Sequence, residues 1–213
     1  MSQQKTYPIC FDGLFRQNIV LTSGLVTAPI IVAATTAERA AVLSLSFFMI
    51  SYCTILLGRI VPRRIVYTVR IIIYALIAAL VFIPTALFTN MLFPETAQAV
   101  QLYIEILVVN SLVLAKTESR FYLIPYSSMA IDSLVYIAGY AIAAFAVGIT
   151  RELLALGTLF GSHICDPIMP AAKSPFFGFL LVGFLAAACR YYYNIRRERA
   201  KKAPEIIRRG ADI

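Results

Sequence analysis

Charge is what this sequence has least of. Of its 213 residues only 14% are Asp, Glu, Lys or Arg, against 60% that are hydrophobic, and mean hydropathy is +0.80. A soluble domain carries about a quarter charged residues and about half apolar ones, so this composition cannot clothe a core in a water-facing shell. The solvent is a bilayer. Histidine occurs once, and no Ser-His-Asp set, glycine-rich phosphate loop or paired-carboxylate hydrolase pattern is present. The four cysteines, Cys10, Cys53, Cys165 and Cys189, lie far apart with no Cys-x-x-Cys pair. That spacing supports neither a zinc site nor a disulfide framework, and they read as free thiols.

Long apolar runs are what the sequence has instead. A helix needs about 20 apolar residues to cross the hydrocarbon, and lipid cannot satisfy open strands, so spans of that length are helices. The expected fold is an all-α integral membrane protein in one domain, residues 1–213, with six spans. Span one covers about Asn18 to Ala34 and is interrupted by Thr22, Ser23, Gly24, Thr27 and Pro29. Residues ahead of it have some look of a signal peptide, but the run reads as a retained first span. Span two covers about Ala40 to Gly58, and span three about Ile71 to Leu92 with a kink expected at Pro84. After a loop, Pro94-Glu95-Thr96, span four runs from about Ala97 to Ala115. Span five covers about Ile131 to Thr150. Phe121 to Ala130 is interfacial or an early part of it, and Arg151 to Phe160 prolongs it until Gly157 and Gly161 end the helix. Ser162 to Lys173 reads as a loop, and span six runs from about Pro175 to Tyr193 with aromatic residues at both ends.

The net charge of +8 would suit nucleic acid, but topology explains it more cheaply. With the N-terminus inside, 16 of the 19 basic residues fall on the cytoplasmic side. They include Arg59, Arg63, Arg64 and Arg70 in one loop and eight residues from Arg190 onward. Only Arg39, Arg151 and Lys173 fall on the other side, so both termini are expected in the cytoplasm. The basic tail, 195–213, reads as a stop-transfer and headgroup anchor.

Function should lie in the stretch from Glu105 to Arg120, an apolar run holding a carboxylate and an amide. Ser111 to Ala115 aligns with Ala28 to Val32, and each interrupted run is followed by Thr or Ser, Glu and Arg and then by two smoother spans. The chain therefore divides into two three-span repeats, about 14–92 and 97–194. An odd number of spans per repeat inverts the second relative to the first, an arrangement in which broken helices build the site of many transporters.

The run Asn110 to Arg120, the motif Arg151-Glu152-Leu-Leu-Ala-Leu-Gly-Thr-Leu-Phe-Gly161 and Ser174-Pro175-Phe176 together resemble the six-span membrane subunits of the Rnf and Nqr electron-transport complexes, most of all the Rnf E and Nqr D branch. The resemblance runs from Phe15-Arg16-Gln17-Asn18 to the last span. It implies a subunit of a redox-driven, ion-translocating oxidoreductase in the inner (plasma) membrane, inactive alone. It also implies a homologous six-span partner of opposite orientation and further redox subunits, with no nucleic acid. In the family a cysteine in each interrupted span helps hold a binuclear iron–sulfur cluster shared with that partner. Those positions fall here on Ala28, which has no ligand atom, and Ser111, a poor substitute for thiolate. The resemblance therefore implies an ion path or scaffold rather than a cluster carrier, and no cofactor from this chain alone. The alternative is a cluster-free paralogue that transports a small solute or ion.

Glu105 and Asn110 are the candidate ion-path residues. A carboxylate inside a span faces a partner, a cavity or an ion route; the plainer readings of Glu105 are a salt bridge to Arg70 or a shallower position. Asn110 and Ser111 suit helix–helix hydrogen bonds. Asp132 is expected at the interface, and Arg151 and Glu152 are expected to cap and neutralise one another there. His163, Cys165 and Asp166 carry metal-ligand groups within one loop, but a plain surface loop is the simpler reading.

Overall fold

The computed structural model describes residues 18, 20–21, 24, 26–109 and 124–211, with backbone alone at 193 and from 196 onward. Among these residues six helices follow one another: α1 (Thr27–Ala33), α2 (Ala37–Gly58), α3 (Tyr67–Leu92), α4 (Pro94–Ile106), α5 (Tyr126–Leu156) and α6 (Pro175–Ala211). Four of them contain stretches long and apolar enough to cross a membrane, namely α2, α3, α5 and the Pro175–Tyr192 part of α6. α1 and α4, which hold the runs read as interrupted, are the two short helices.

The helices alternate in direction, and six termini meet at one end. Thr96 at the start of α4 donates to Glu38 at the start of α2 (2.6 Å). Glu152 near the end of α5 accepts from the Ala37 amide that opens α2 (2.7 Å). Arg151 binds the carbonyls that close α1 and those that precede α6. Phe93 alone separates α3 from α4. The three basic residues that the charge count set apart, Arg39, Arg151 and Lys173, therefore share this end.

α2 is the central element, packed against α1, α3, α4 and α5. It is capped twice: the Thr36 hydroxyl accepts from the Arg39 amide (3.2 Å), and the Glu152 carboxylate takes the Ala37 amide, so two orphan donors of the first turn are satisfied. Its buried hydroxyls, Ser44 and Ser46, donate to carbonyls one turn back (2.7 and 2.8 Å), which lets polar side chains sit in an apolar interface. Phe47 stacks on Tyr140 of α5 with ring centroids 4.0 Å apart. Close approach needs small residues. A Cβ added at Gly148 of α5 would lie 2.8 Å from the Thr36 carbonyl oxygen and 2.9 Å from the Ala40 Cβ, and one at Gly178 of α6 would run into the Ile31 carbonyl. α3 turns Ile72, Leu76, Leu80, Ile83 and Leu87 outward, and α6 does the same with Phe176, Phe179, Leu180 and Phe184. At helical spacing these form continuous exposed apolar stripes.

The structure corrects several expectations. Pro94-Glu95-Thr96 is not a loop but the first turn of α4. Proline at the first helical position gives up only a donor that would be orphaned anyway, and Glu95 complements the helix dipole. Span five is prolonged at both ends in line with the sequence reading: α5 takes in Tyr126 to Ala130 before it and Arg151 to Leu156 after it. Gly157 ends it in the left-handed region (φ 65°), as expected. The segment after it is not all loop: Thr158–Leu159 (β1) pairs antiparallel with Ser162–His163 (β2). Phe160 (φ 49°) and Gly161 (φ 78°) form the turn between them, the positive-φ geometry that favours two-residue hairpins. Pro84 lies inside α3. α4 gives way at Leu107–Val109 to a 3₁₀ turn, so the helix loses its α form where the polar stretch begins. The remainder of span four, 110–115, lies outside the described residues.

Gly148→Leu should force α2 and α5 apart and lower the stability of the detergent-solubilised protein by about 1–3 kcal/mol. Thermal unfolding followed by circular dichroism measures it, and an unchanged midpoint would show that this contact is not close.

Candidate functional site

Ahead of α1 the described residues, Asn18, Val20, Leu21, Gly24 and Val26, are not helical. Asn18 is fully buried and its side-chain oxygen accepts from the Val20 and Leu21 amides (2.9 and 3.1 Å). Its amide nitrogen donates to the Gly139 carbonyl of α5 (2.8 Å). One side chain thus satisfies two amides of the irregular segment and moors it to the middle of a long helix. Gly24 (φ 64°) and Val26 (φ 58°) follow in the left-handed region. For a β-branched residue such as Val26 that conformation costs of order 1–3 kcal/mol and persists only where packing imposes it.

α1 then runs for seven residues, about 10 Å, to its end at Arg151. That end lies about 18 Å along α5 from Gly139 by helix rise, so the irregular segment sits well inside the hydrocarbon thickness of roughly 30 Å. Irregular backbone at such depth is tolerated only when protein or a cavity surrounds it, and α2, α4, α5 and α6 all pack around α1.

Arg151, fully buried, holds the other end. Nε donates to the Ala172 carbonyl (3.0 Å), one terminal nitrogen to those of Ile31 and Ala34 (2.8 and 3.2 Å), and the other to those of Lys173 and Ser174 (2.8 and 3.3 Å). The guanidinium gathers five carbonyls from the end of α1, the α1–α2 junction and the 3₁₀ turn Pro170–Lys173. Glu152, 2% exposed, accepts from the Ala37 amide through one oxygen and from the Thr158 hydroxyl (3.1 Å) and Gly161 amide (3.4 Å) through the other. The expectation that Arg151 and Glu152 neutralise each other at an interface is therefore corrected. Neighbours on a helix point about 100° apart, and each side chain instead binds backbone of opposite polarity. Sequence reasoning saw the motif but missed this role, and it passed over Asn18 as a ligand of the backbone.

Of the sequence-derived site residues, Ala28 lies in the first turn of α1 and is exposed. Its methyl offers no ligand atom. The described cysteines sit on α2 (Cys53), in the loop after β2 (Cys165) and on α6 (Cys189), none of them on α1 or α4. The donor set at this position does not fit an iron–sulfur cluster. Asn110 and Ser111 lie outside the described residues, as does Cys10. Glu105 is exposed on α4 about 16 Å by helix rise from Pro94, and it accepts a hydrogen bond from Gln101 (3.2 Å). Its partner is Gln101 rather than Arg70, whose guanidinium donates to the carbonyls of Arg63 (2.8 Å) and Ile65 (3.0 Å). The structure thus brings the two short helices together, α1 against α4. Asp132 sits in the second turn of α5 at the expected end of the helix, but it is buried rather than open to the headgroups. His163 and Asp166 approach to 4.0 Å in an exposed loop.

Comparison with known proteins gives the arrangement a context. Residues 6–188 match the family described as Rnf-Nqr subunit, membrane protein. The chain is similar to the E subunit of the ion-translocating oxidoreductase complex of Yersinia pestis (strain Pestoides F), 28% identical over 160 residues, which are 75% of this chain and 68% of the relative. It is likewise similar to the protein of the same name from Sodalis glossinidius (strain morsitans), 29% identical over 152 residues, 71% of this chain and 66% of that one.

Arg151→Met should leave several buried carbonyls without a donor and cost about 3 kcal/mol or more. Arg151→Lys, whose point charge cannot fork among five acceptors, should recover only part of it. Glu38→Ala, at an exposed contact of the same end, should cost under about 1 kcal/mol. Thermal midpoints of the three variants check the order, and equal losses at Arg151 and Glu38 would remove the special role of the buried guanidinium.

Proposed function

Since the chain belongs to the Rnf–Nqr family of membrane subunits, we propose that within an ion-translocating oxidoreductase complex it shapes the ion path or scaffolds electron transfer, without itself carrying the cluster. The observation that carries this reading is Glu105. An exposed carboxylate about 16 Å from the start of α4 stands near mid-depth, where an ionised group facing lipid would be costly and a partner, cavity or ion route is the usual surrounding. Glu105 therefore faces a neighbouring protein of the complex, and together with Asn110 forms the ion-handling part of the interface. That neighbour is a homologous six-span protein of opposite orientation, accompanied by the other redox subunits.

The six spans form two inverted repeats, with α1 and α4 as the helical parts of the interrupted first and fourth spans. The packing of these two helices against one another supports this arrangement. Both termini face the cytoplasm and the membrane is the inner one. The gathering of Arg39, Arg151 and Lys173 at one end supports that assignment, since these are the basic residues left over when the others are counted as cytoplasmic. Ala28, lacking a ligand atom, favours the scaffold or ion-path role over electron carriage.

In the assembled complex, Glu105→Gln should lower sodium or proton flux about tenfold, the effect of about 1.4 kcal/mol on a barrier, while assembly is preserved. Flux equal to wild type would discard the ion-route assignment. Replacing Cys10, Cys53, Cys165 and Cys189 together by alanine should leave the iron content and low-temperature EPR spectrum of the complex unchanged. Loss of a binuclear signal would show that this chain supplies thiolate ligands after all. A preparation with no iron and intact ion transport would instead mark a cluster-free transporter.

A further inference from the structure

α2, α3 and the loop that joins them enclose a groove of about 740 Å³ whose walls are almost wholly apolar. Cys53 and Leu57 line it from α2, Ile60 and Ile65 from the loop, and Ile77 and Pro84 from α3. Along α3 it extends from Ile73 to Thr85, about 18 Å of helix, close to one leaflet of a hydrocarbon layer roughly 30 Å thick. Its volume is that of a ligand site. No protein segment among the described residues fills it.

The loop that lines one end of the groove carries three arginines. Ile60, Val61, Pro62 and Ile65, which line it, alternate in sequence with Arg59, Arg63 and Arg64. Arg63 and Arg64 are exposed. The loop that presents them is held in one shape. Ile60 and Val61 donate to the carbonyls of Leu57 and Gly58 (3.0 and 3.2 Å), Ile65 to that of Pro62 (3.3 Å), and the Arg70 guanidinium ties the Arg63 and Ile65 carbonyls from α3. A slot about one leaflet deep, lined at one end by a loop that carries exposed arginines, matches a molecule with an apolar chain and an anionic head. We propose that the α2–α3 groove is a site for an anionic phospholipid, its acyl chain along Ile77 and Pro84 and its phosphate against Arg63 and Arg64. Bidentate hydrogen bonding to phosphate is the geometry guanidinium favours, and headgroup attraction by juxtamembrane arginines is of the size that selects one lipid class over another. The site does not depend on the ion-path role of Glu105.

The test uses the full-length chain purified in an uncharged detergent, with dioleoyl phosphatidylglycerol and dioleoyl phosphatidylcholine as probes and native mass spectrometry as readout. Wild-type protein should retain one phosphatidylglycerol in preference to phosphatidylcholine by about tenfold or more. Arg63→Gln with Arg64→Gln should abolish the preference, and the thermal midpoint of the double variant is measured alongside to separate loss of lipid from loss of fold. Leu57→Trp, which fills the groove from a half-exposed position, should lower retention of phosphatidylglycerol while leaving the arginines in place. Arg190→Gln, an exposed charge at the end of the last span, should change nothing. The proposal is overturned if the double variant keeps its preference, if Leu57→Trp retains the lipid as wild type does, or if Arg190→Gln loses as much. It is also overturned if the lipid is displaced whenever the partner proteins assemble, since the groove would then belong to a neighbouring helix.

Discussion

Four carbonyls at the C-terminal end of any helix lack partners within it, and in a helix as short as α1 they are more than half of the residues. Water would normally satisfy them; hydrocarbon cannot. Arg151 takes one of these groups, at Ile31, together with the Ala34 carbonyl just past the helix end, and uses its remaining donors to hold the connection into α6 against the same point. The positive charge meets the negative end of the α1 dipole, so the electrostatics and the hydrogen bonds act in the same sense. Glu152 applies the complementary rule at the N-terminus of α2, where the amide dipoles favour an anion. Two adjacent residues of α5 thus secure the end of one helix and the beginning of the next. The bend between α1 and α2 is held by both, and Asn18 closes the irregular segment from the opposite side.

Much of this architecture was legible in the sequence because the bilayer imposes simple lengths. The long apolar runs became α2, α3, α5 and α6, and Gly157 ended α5 where a residue at positive φ was expected. The three basic residues that the charge count set apart, Arg39, Arg151 and Lys173, share one end of the fold. What could not be read were contacts between residues far apart in sequence. Arg151 and Glu152 are adjacent in the chain, which suggests a mutual pair, but each reaches a partner more than a hundred residues away, at Ile31 and Ala34 or at Ala37. No periodicity encodes such a contact. Pro94-Glu95-Thr96 misled for a different reason: the same residues that favour a turn also favour the first turn of a helix, and only the helix that follows decides between them.

At the candidate site, sequence and structure contribute unequally. The chemistry of Ala28 is settled by its identity, because a methyl group cannot ligate iron in any conformation. For Glu105 the geometry adds more. The sequence left open a salt bridge to Arg70 and a shallower position, and both weaken once Arg70 is seen bonded to its own loop and Glu105 is seen exposed well along α4. Gln101 supplies only a neutral hydrogen bond at 3.2 Å, which does not compensate a carboxylate charge. The uncompensated part of that charge is what directs attention to a neighbouring protein.

The two ends of the molecule use arginine in opposite ways. At one end Arg151 is fully buried and saturated by carbonyls, so no donor is left for a ligand and its contribution is to the fold. At the other end Arg70 spends its guanidinium on the backbone of its own loop and thereby presents Arg63 and Arg64 outward. A buried arginine satisfied by protein cannot exchange partners without exposing several carbonyls at once, whereas an exposed pair on a braced loop can bind and release an anion at little conformational cost. Rigidity therefore belongs to the end that holds the short helix, and exchangeable binding belongs to the end where α2 meets α3. A membrane component that must keep a broken span in register while its surroundings change during turnover would be expected to separate the two in this way.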